Sequence, residues 1–192
     1  MSNGNAIAGR KAANEYDFYE TPKWATEKAI ERMLIDGVIN KYDEIYEPCC
    51  GAGAISDLLE VYGFENLKKS DIQTADYIKG NKGIDVYDLD DEITDVVFTN
   101  PPYNLMTKEN MLKEFLRIAK RKVILILNIY YLSSKDRKEM LERSHLNYVY
   151  IHSDRVTMYP YGQPVPKNGG TKMFAWFVWD KKYDGEPIIR WL

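Results

Sequence analysis

Apolar positions fall into two alternating patterns along the chain, and the alternation predicts its elements. Trp24, Ala25, Ala29, Ile30, Met33 and Leu34 recur at helical spacing behind Thr21-Pro22, a cap and first-turn pair, and Gly37 closes that helix. A strand is predicted over 43–47, a glycine-bearing loop over 48–53, and a helix from about Ala54 through Ile55, Leu58, Leu59 and Tyr62 to Gly63. Residues 67–72 read as a strand, 74–79 as a helix, and 95–99 as a buried strand that ends at Asn100. An amphipathic helix follows over 109–119, with Met111, Leu112, Phe115, Leu116 and Ile118 on one face. The run from Lys122 to Leu127 is strand, 135–143 a short helix, and 148–152 and 173–179 the last two strands.

Strands that alternate with helices imply a mostly parallel α/β sheet with right-handed crossovers. Only an irregular, Gly/Pro/Tyr-rich loop joins the last two strands, so they are expected to pair as an antiparallel hairpin at one edge. The expectation is a seven-stranded sheet in one three-layer domain over 17–192, preceded by a small, polar, flexible arm over 1–16. Ligands of such sheets bind beyond the carboxyl ends of the strands, which makes the strand ends the places to look for chemistry.

Composition changes this picture little. At 192 residues, with 45% hydrophobic and 29% charged positions, the chain is of ordinary globular make-up. No apolar run approaches a membrane span, and Met1-Ser2-Asn3-Gly4-Asn5 has no signal core, so a cytosolic protein is expected. Adjacent Cys49 and Cys50 form neither a disulfide framework nor a zinc spacing, and are expected to be small packing residues. Charge is more telling. Residues 1–100 carry 10 Lys and Arg against 20 Asp and Glu, whereas 101–192 carry 16 against 9. Such asymmetry marks either a basic working surface or unevenly solvated charge.

Two strand ends carry candidate chemistry. Glu47-Pro48-Cys49-Cys50-Gly51-Ala52-Gly53 leads into a helix, and its glycines let the backbone turn tightly and approach a ligand. It lacks the third glycine and the Gly-Lys-Ser/Thr pair of a phosphate cradle. Asn100-Pro101-Pro102-Tyr103 leaves an apolar strand directly. A nitrogen conjugated to a ring, or in an amide, is a poor nucleophile because its lone pair is delocalised. Two fixed oxygens, the Asn100 side chain and the Pro101 carbonyl, can accept both of its N–H bonds and localise that lone pair. The prolines hold the acceptors, and Tyr103 can stack on a planar substrate.

With these residues the chain, from about Asp17 to Lys182, resembles the S-adenosylmethionine-dependent amino-group methyltransferases. Within them it is most similar to the N6-adenine DNA methyltransferases and their small phage- or mobile-element-encoded relatives. The resemblance implies a Rossmann-like methyltransferase fold, S-adenosylmethionine as methyl donor, and Asn100-Pro101-Pro102-Tyr103 as the catalytic tetrapeptide. It implies a donor loop with contacts from Glu47, Pro48, Cys49, Gly51 and Gly53, and Asp71 on the donor's ribose with Ile72 beside it. Asp85, with Val86 adjacent and Asp88 as the alternative, would hold the donor's adenine. Tyr19 and Thr21, in Asp17-Phe18-Tyr19-Glu20-Thr21-Pro22, would close over its methionine end.

The chain departs from the larger members in having no segment long enough for a separate target-recognition domain. Low sequence specificity, or a recognition partner, is therefore expected. The 152–172 loop, with Arg155, Tyr159, Tyr161, Lys167, Asn168 and Lys172, is the candidate acceptor surface. Phosphate contacts are expected from Lys108, Lys120, Arg121, Lys122, Lys135, Arg137 and Lys138. His145 and His152 are expected to be structural or exposed, and no metal is implied. Three alternatives stay open: the same chemistry on RNA, on a protein glutamine, or a catalytically silent binding module.

Overall fold

The computed structural model describes residues 18–108, 111–162 and 172–192, with side chains omitted at Thr107 and Lys108. In chain order its elements are β1 (Tyr19–Glu20), α1 (Lys23–Ile35), β2 (Ile45–Glu47), α2 (Ser56–Val61), β3 (Leu67–Asp71) and β4 (Asn81–Lys82). Then come β5 (Thr94–Thr99), α3 (Tyr103–Lys108), α4 (Met111–Ile118), β6 (Ala119–Asn128) and α5 (Lys138–Arg143). The chain closes with β7 (Leu146–Ile151), β8 (Tyr159–Pro160), β9 (Phe174–Asp180) and β10 (Ile188–Trp191). The expected arm over 1–16 lies outside the described residues.

The main sheet has eight strands in the order β10-β7-β9-β6-β5-β2-β3-β4. Only β9 runs against its neighbours, antiparallel to both β6 and β7. The expected mixed α/β sheet with its antiparallel hairpin is thus present. The sheet has one strand more than the expected seven, and two of the eight, β4 and β10, are not among the strands read from the sequence; at the far edge, pairing in parallel with β7 outside the hairpin, is β10. Its Ile188-Ile189-Arg190-Trp191 alternates between half-buried and exposed, the pattern of an edge strand, and that run is too short to stand out in the sequence. Residues 74–79 form a turn rather than the expected helix.

Helices cover both faces. On one, Ala25, Ala29, Ile30 and Met33 of α1 and Leu58 and Leu59 of α2 pack on Ile45, Phe98, Ile124 and Trp176. On the other, Met111, Leu112, Phe115 and Ile118 of α4 pack on Val97, Val123, Leu125 and Phe177. Adjacent strand residues such as Val97 and Phe98 therefore serve opposite cores, as strand alternation requires. Trp176 and Trp179 have no exposed surface, so the aromatic strand is core. Among the described residues no helix is long and apolar enough to cross a membrane.

A two-stranded ladder stands apart from the main sheet: β1 pairs antiparallel with β8, joining the start of the described chain to the 152–162 segment. The strands β2, β3, β5 and β6 all end on the side where this ladder lies, since Tyr19 of β1 bonds Asn100 at the end of β5.

Candidate functional site

The first wall of the site is the turn after β2. Gly51 and Gly53 sit at φ of +48° and +86°, a region that L side chains adopt only under strain. Asp71, at the end of β3, ties this turn down: its Oδ2 accepts from Gly51 N at 2.9 Å and its Oδ1 from Gln73 N at 2.9 Å. The Glu47 carboxyl accepts from Ser56 N at 2.9 Å, satisfying a free donor at the amino end of α2. Asp85 Oδ1 accepts from Tyr87 N at 3.1 Å and opens a short 3-10 turn.

Burial raises the pKa of the Glu47 and Asp71 carboxyls. Glu47, 1% exposed, is held well above its ordinary value by desolvation, opposed by the bonds from Ser56. Asp71 is raised for the same reason, and the Gln73 and Gly51 amides oppose the shift. Desolvation also lifts the Cys49 thiol well above its usual value and Cys50 to about 12, so neither is poised as a nucleophile and both pack beneath the loop.

The second wall is the end of β5. Asn100 Nδ2 donates to the Tyr19 carbonyl and to Thr21 Oγ1, each at 3.1 Å. A carbonyl only accepts, so these contacts decide which end of the amide is nitrogen and turn Oδ1 away from β1. That oxygen is buried and has no protein partner. Beside it the Tyr103 ring lies 5.7 Å from the Phe174 ring, tilted by 35°.

The roof is aromatic. Phe18 stacks on Tyr77 with ring centres 5.3 Å apart, and Tyr161 meets Phe18 at 5.2 Å and Tyr77 at 4.6 Å. The Phe18 ring lies so close over Gly51 that a Cβ there would collide with it. Of these three rings only Phe18 lines the pocket, a residue inside the Asp17–Pro22 motif that the sequence reading does not single out; Tyr77 and Tyr161 pack behind it.

No family model matches the sequence, and no curated protein matches it. Solved structures do match in shape. A candidate RNA methyltransferase from Pyrococcus horikoshii superposes with a TM-score of 0.64 at 15% identity, over 86% of this chain and 87% of that one. The magnesium protoporphyrin IX methyltransferase from Synechocystis, solved with bound S-adenosylmethionine, gives 0.55 at 16% identity, over 82% of this chain and 79% of that one. A type I restriction-modification methyltransferase subunit from Streptococcus thermophilus gives 0.60 at 12% identity, over 97% of this chain and 50% of that one. The chain has a methyltransferase fold.

Within that fold most of the sequence-predicted residues meet. Tyr19, Thr21, Glu47, Pro48, Cys49, Asp71, Ile72, Asp85, Val86, Asn100, Pro101, Pro102 and Tyr103 line one pocket, together with Phe18, Cys50, Gln73 and Met111. Gly51 and Gly53 shape the turn behind the wall rather than facing the cavity. Asp88 is exposed and outside the pocket, which leaves Asp85 as the acid at that position. Thr21 does not cap α1, whose cap position is Pro22; its hydroxyl is spent on Asn100 instead.

The expected acceptor and phosphate residues scatter. Tyr161 belongs to the roof, and Tyr159 pairs with Glu20 across the β1–β8 ladder. Arg155 and Lys172 are exposed and off the pocket wall, and Lys167 and Asn168 lie outside the described residues. Lys120, Arg121 and Lys122 require a correction. They stand at the amino end of β6, the opposite end of the sheet from Asn100, and pair with Glu44, Asp43 and Asp180. Their triplet reads as a basic patch in sequence only because the acids that pair with them come from distant segments, Asp43 and Glu44 from the turn before β2 and Asp180 from β9. Arg137 is folded onto the Tyr131 ring at 4.7 Å, while Lys135 is exposed and Lys138 pairs with Glu142. The Lys108 side chain lies outside what is described. His152 is 8% exposed and packed edge-on against Trp24, a structural residue as expected.

Proposed function

We propose that this chain is an S-adenosylmethionine-dependent methyltransferase acting on the N6 amine of adenine in DNA, with little sequence specificity of its own. The observation that carries the reading is Asn100 Oδ1: a buried, unpartnered acceptor whose direction is set by Tyr19 and Thr21, at the carboxyl end of a sheet strand. An amine donor is the simplest group to satisfy it.

The residues also fit the methyl donor. Each Asp71 oxygen already takes one backbone N–H, which leaves lone pairs for a ribose diol. Ile72 and Val86 offer apolar flanks for a purine ring, and Asp85 an acceptor for its exocyclic amine. When bound, the donor supplies a methyl carbon made electrophilic by its sulfonium. The chain's part is orientation. Asn100 Oδ1 and the Pro101 carbonyl accept the two N–H bonds of the target amine, which points its lone pair away from the ring plane. Tyr103, backed by Phe174, stacks on the base. A methylated ammonium loses its proton readily, so no general base is required. Because Asn100 Oδ1 is buried, a duplex adenine must be extruded to reach it or the strand must already be single.

The resemblance of the tetrapeptide to that of the N6-adenine DNA methyltransferases is what favours DNA, while the shape neighbours include both a candidate RNA methyltransferase and a restriction-modification subunit. The test is methyl transfer from labelled S-adenosylmethionine to unmethylated single- and double-stranded DNA, with RNA alongside, read as N6-methyladenine by mass spectrometry. The expected result is label in DNA that Asn100→Ala reduces by about 100-fold or more. Label in RNA alone, or none on any nucleic acid despite intact donor binding, would overturn the assignment to DNA.

A further inference from the structure

The segment that follows β3 is built onto the Gly51 turn. Lys79 N donates to the Gly51 carbonyl at 3.0 Å, Ile78 is buried, and Gln73 N donates to Asp71 Oδ1 at 2.9 Å. Between these anchors Tyr77 is half-buried, and its hydroxyl donates to Gln73 Oε1 at 2.7 Å. The Tyr77 side chain is therefore fixed at both ends, at its root by its neighbours and at its tip by Gln73. Gln73 lines the pocket, whereas Tyr77 stands outside it.

The β1–β8 ladder has the opposite character. It is two residue pairs long and separate from the main sheet, and so short a ladder has no stability of its own. It must be held by what it docks on. Asn100 Nδ2 donates to the Tyr19 carbonyl of β1. The Phe18 ring, just before β1, stacks on Tyr77 with centres 5.3 Å apart and planes 3° apart. Tyr161, just after β8, meets Phe18 at 5.2 Å and Tyr77 at 4.6 Å, and its N–H donates to the Phe18 carbonyl at 3.3 Å. Phe18 and Tyr161, one at each strand of the ladder, thus share a single fixed partner. Of the three rings it is Phe18 that reaches the pocket wall, beside Glu47, Asp71 and Asn100 and pressed against Gly51.

We propose that Tyr77 is a positioning residue for the donor: from outside the cavity its ring seats Phe18 over the Gly51 turn and, with Tyr161, clasps the β1–β8 ladder down on the occupied pocket. This role rests on the reading of the pocket as the S-adenosylmethionine site and adds what keeps the donor there. Without the Tyr77 ring, Phe18 is free to leave the wall, and the bound donor loses that contact. Dissociation then quickens while association changes little.

The experiment measures S-adenosylmethionine affinity by calorimetry and its dissociation rate by chase, with no acceptor present. The proteins are the wild type, Tyr77→Ala, Tyr77→Phe, Phe18→Ala and the double variant Phe18→Ala/Tyr77→Ala. Tyr77→Ala is expected to bind the donor roughly tenfold more weakly, mostly through faster dissociation, and Tyr77→Phe, which keeps the ring, to stay within about threefold of the wild type. Phe18→Ala should lose about as much, and Tyr77→Ala should cost nothing further in the Phe18→Ala background. General damage to the fold would instead persist in that background. Undiminished donor affinity in Tyr77→Ala, or losses that add in the double variant, overturns the role. Should Tyr77→Ala fail to fold, Tyr161→Ala takes its place in the same cycle, at a side chain 40% exposed, with the same two overturning results. Failure of the acceptor reading shows up separately. Donor binding that depends on Tyr77, with no transfer to DNA, sinks the DNA assignment alone; donor binding indifferent to Tyr77, with transfer to DNA, sinks the clasp alone. A wild type that binds no donor sinks both.

Discussion

Thr21→Val separates two roles for one hydroxyl. Thr21 lines the pocket where the methionine end of the donor is expected, and its Oγ1 also accepts from Asn100 Nδ2 at 3.1 Å. Valine keeps the shape at a position only 4% exposed and removes the acceptor. One N–H of Asn100 then stays bonded to the Tyr19 carbonyl and the other is left buried without a partner. An unsatisfied buried donor costs about 1–3 kcal/mol. A full flip of the amide is no escape, because it would set Oδ1 against the Tyr19 carbonyl, acceptor to acceptor. The amide should therefore loosen rather than reverse. Taking about 1–2 kcal/mol of that cost as lost transition-state orientation, kcat falls roughly 5- to 30-fold. Steady-state transfer of labelled methyl to DNA, with kcat and the donor KM fitted separately, reads the effect. Thr21→Ser keeps the oxygen and should stay near the wild type in kcat. An unchanged kcat with a raised donor KM in Thr21→Val would refute the reasoning and make Thr21 a donor contact only.

Three further perturbations test other parts of the structure. Asp71→Asn places an NH2 against one of the two backbone amides that the carboxylate now accepts from, so donor affinity measured by calorimetry should fall at least tenfold and the melting temperature should drop; undiminished donor binding would remove Asp71 from the donor site. Burial, aided by Lys28 and opposed by Asp154, holds the His152 imidazole down to about 4. The unfolded chain titrates near pH 6.5, so between these values only the unfolded state gains the proton, and stability falls as pH drops from about 6.5 toward 4, by at most about 1.36 kcal/mol per unit. Urea midpoints across that range should show the slope, and His152→Leu should flatten it. Arg121→Gln should lower stability by about 1–3 kcal/mol, by leaving Asp43, 4% exposed, without its cation. It should not alter the salt dependence of nucleic-acid binding, whereas loss of a phosphate contact would cut the slope by about 0.9.

What the sequence made legible, and what it did not, divides along a physical line. Strands β2, β5, β6 and β9 and helices α1 and α4 announce themselves because each buries a continuous apolar face, and periodicity records burial. The pocket wall was legible for a related reason. Its residues sit immediately after strand ends, so the strand that positions Asn100 or Asp71 is adjacent in sequence. The roof and the charge pattern are non-local. Phe18, Tyr77 and Tyr161 come from three segments far apart in sequence, and no local pattern says that they stack. Likewise Lys120, Arg121 and Lys122 meet Glu44, Asp43 and Asp180 only once β2, β6 and β9 have found their places.

The same logic locates the weight of the functional argument. The tetrapeptide says that an amide oxygen lies at a strand end, but a freely rotating amide there would present oxygen and nitrogen alike. The sequence separation of 81 and 79 residues between Asn100 and its partners Tyr19 and Thr21 is what the fold closes. Closing it removes the ambiguity, because the Tyr19 carbonyl accepts only the NH2 end. On the proposed reading β1 therefore acts on the acceptor through Asn100, and its ladder with β8 ties the same segment to Tyr161, which packs on Phe18. A change that unpairs β1 from β8 should accordingly disturb the direction of Asn100 as well as the cover over Gly51, which a motif read strand by strand cannot express.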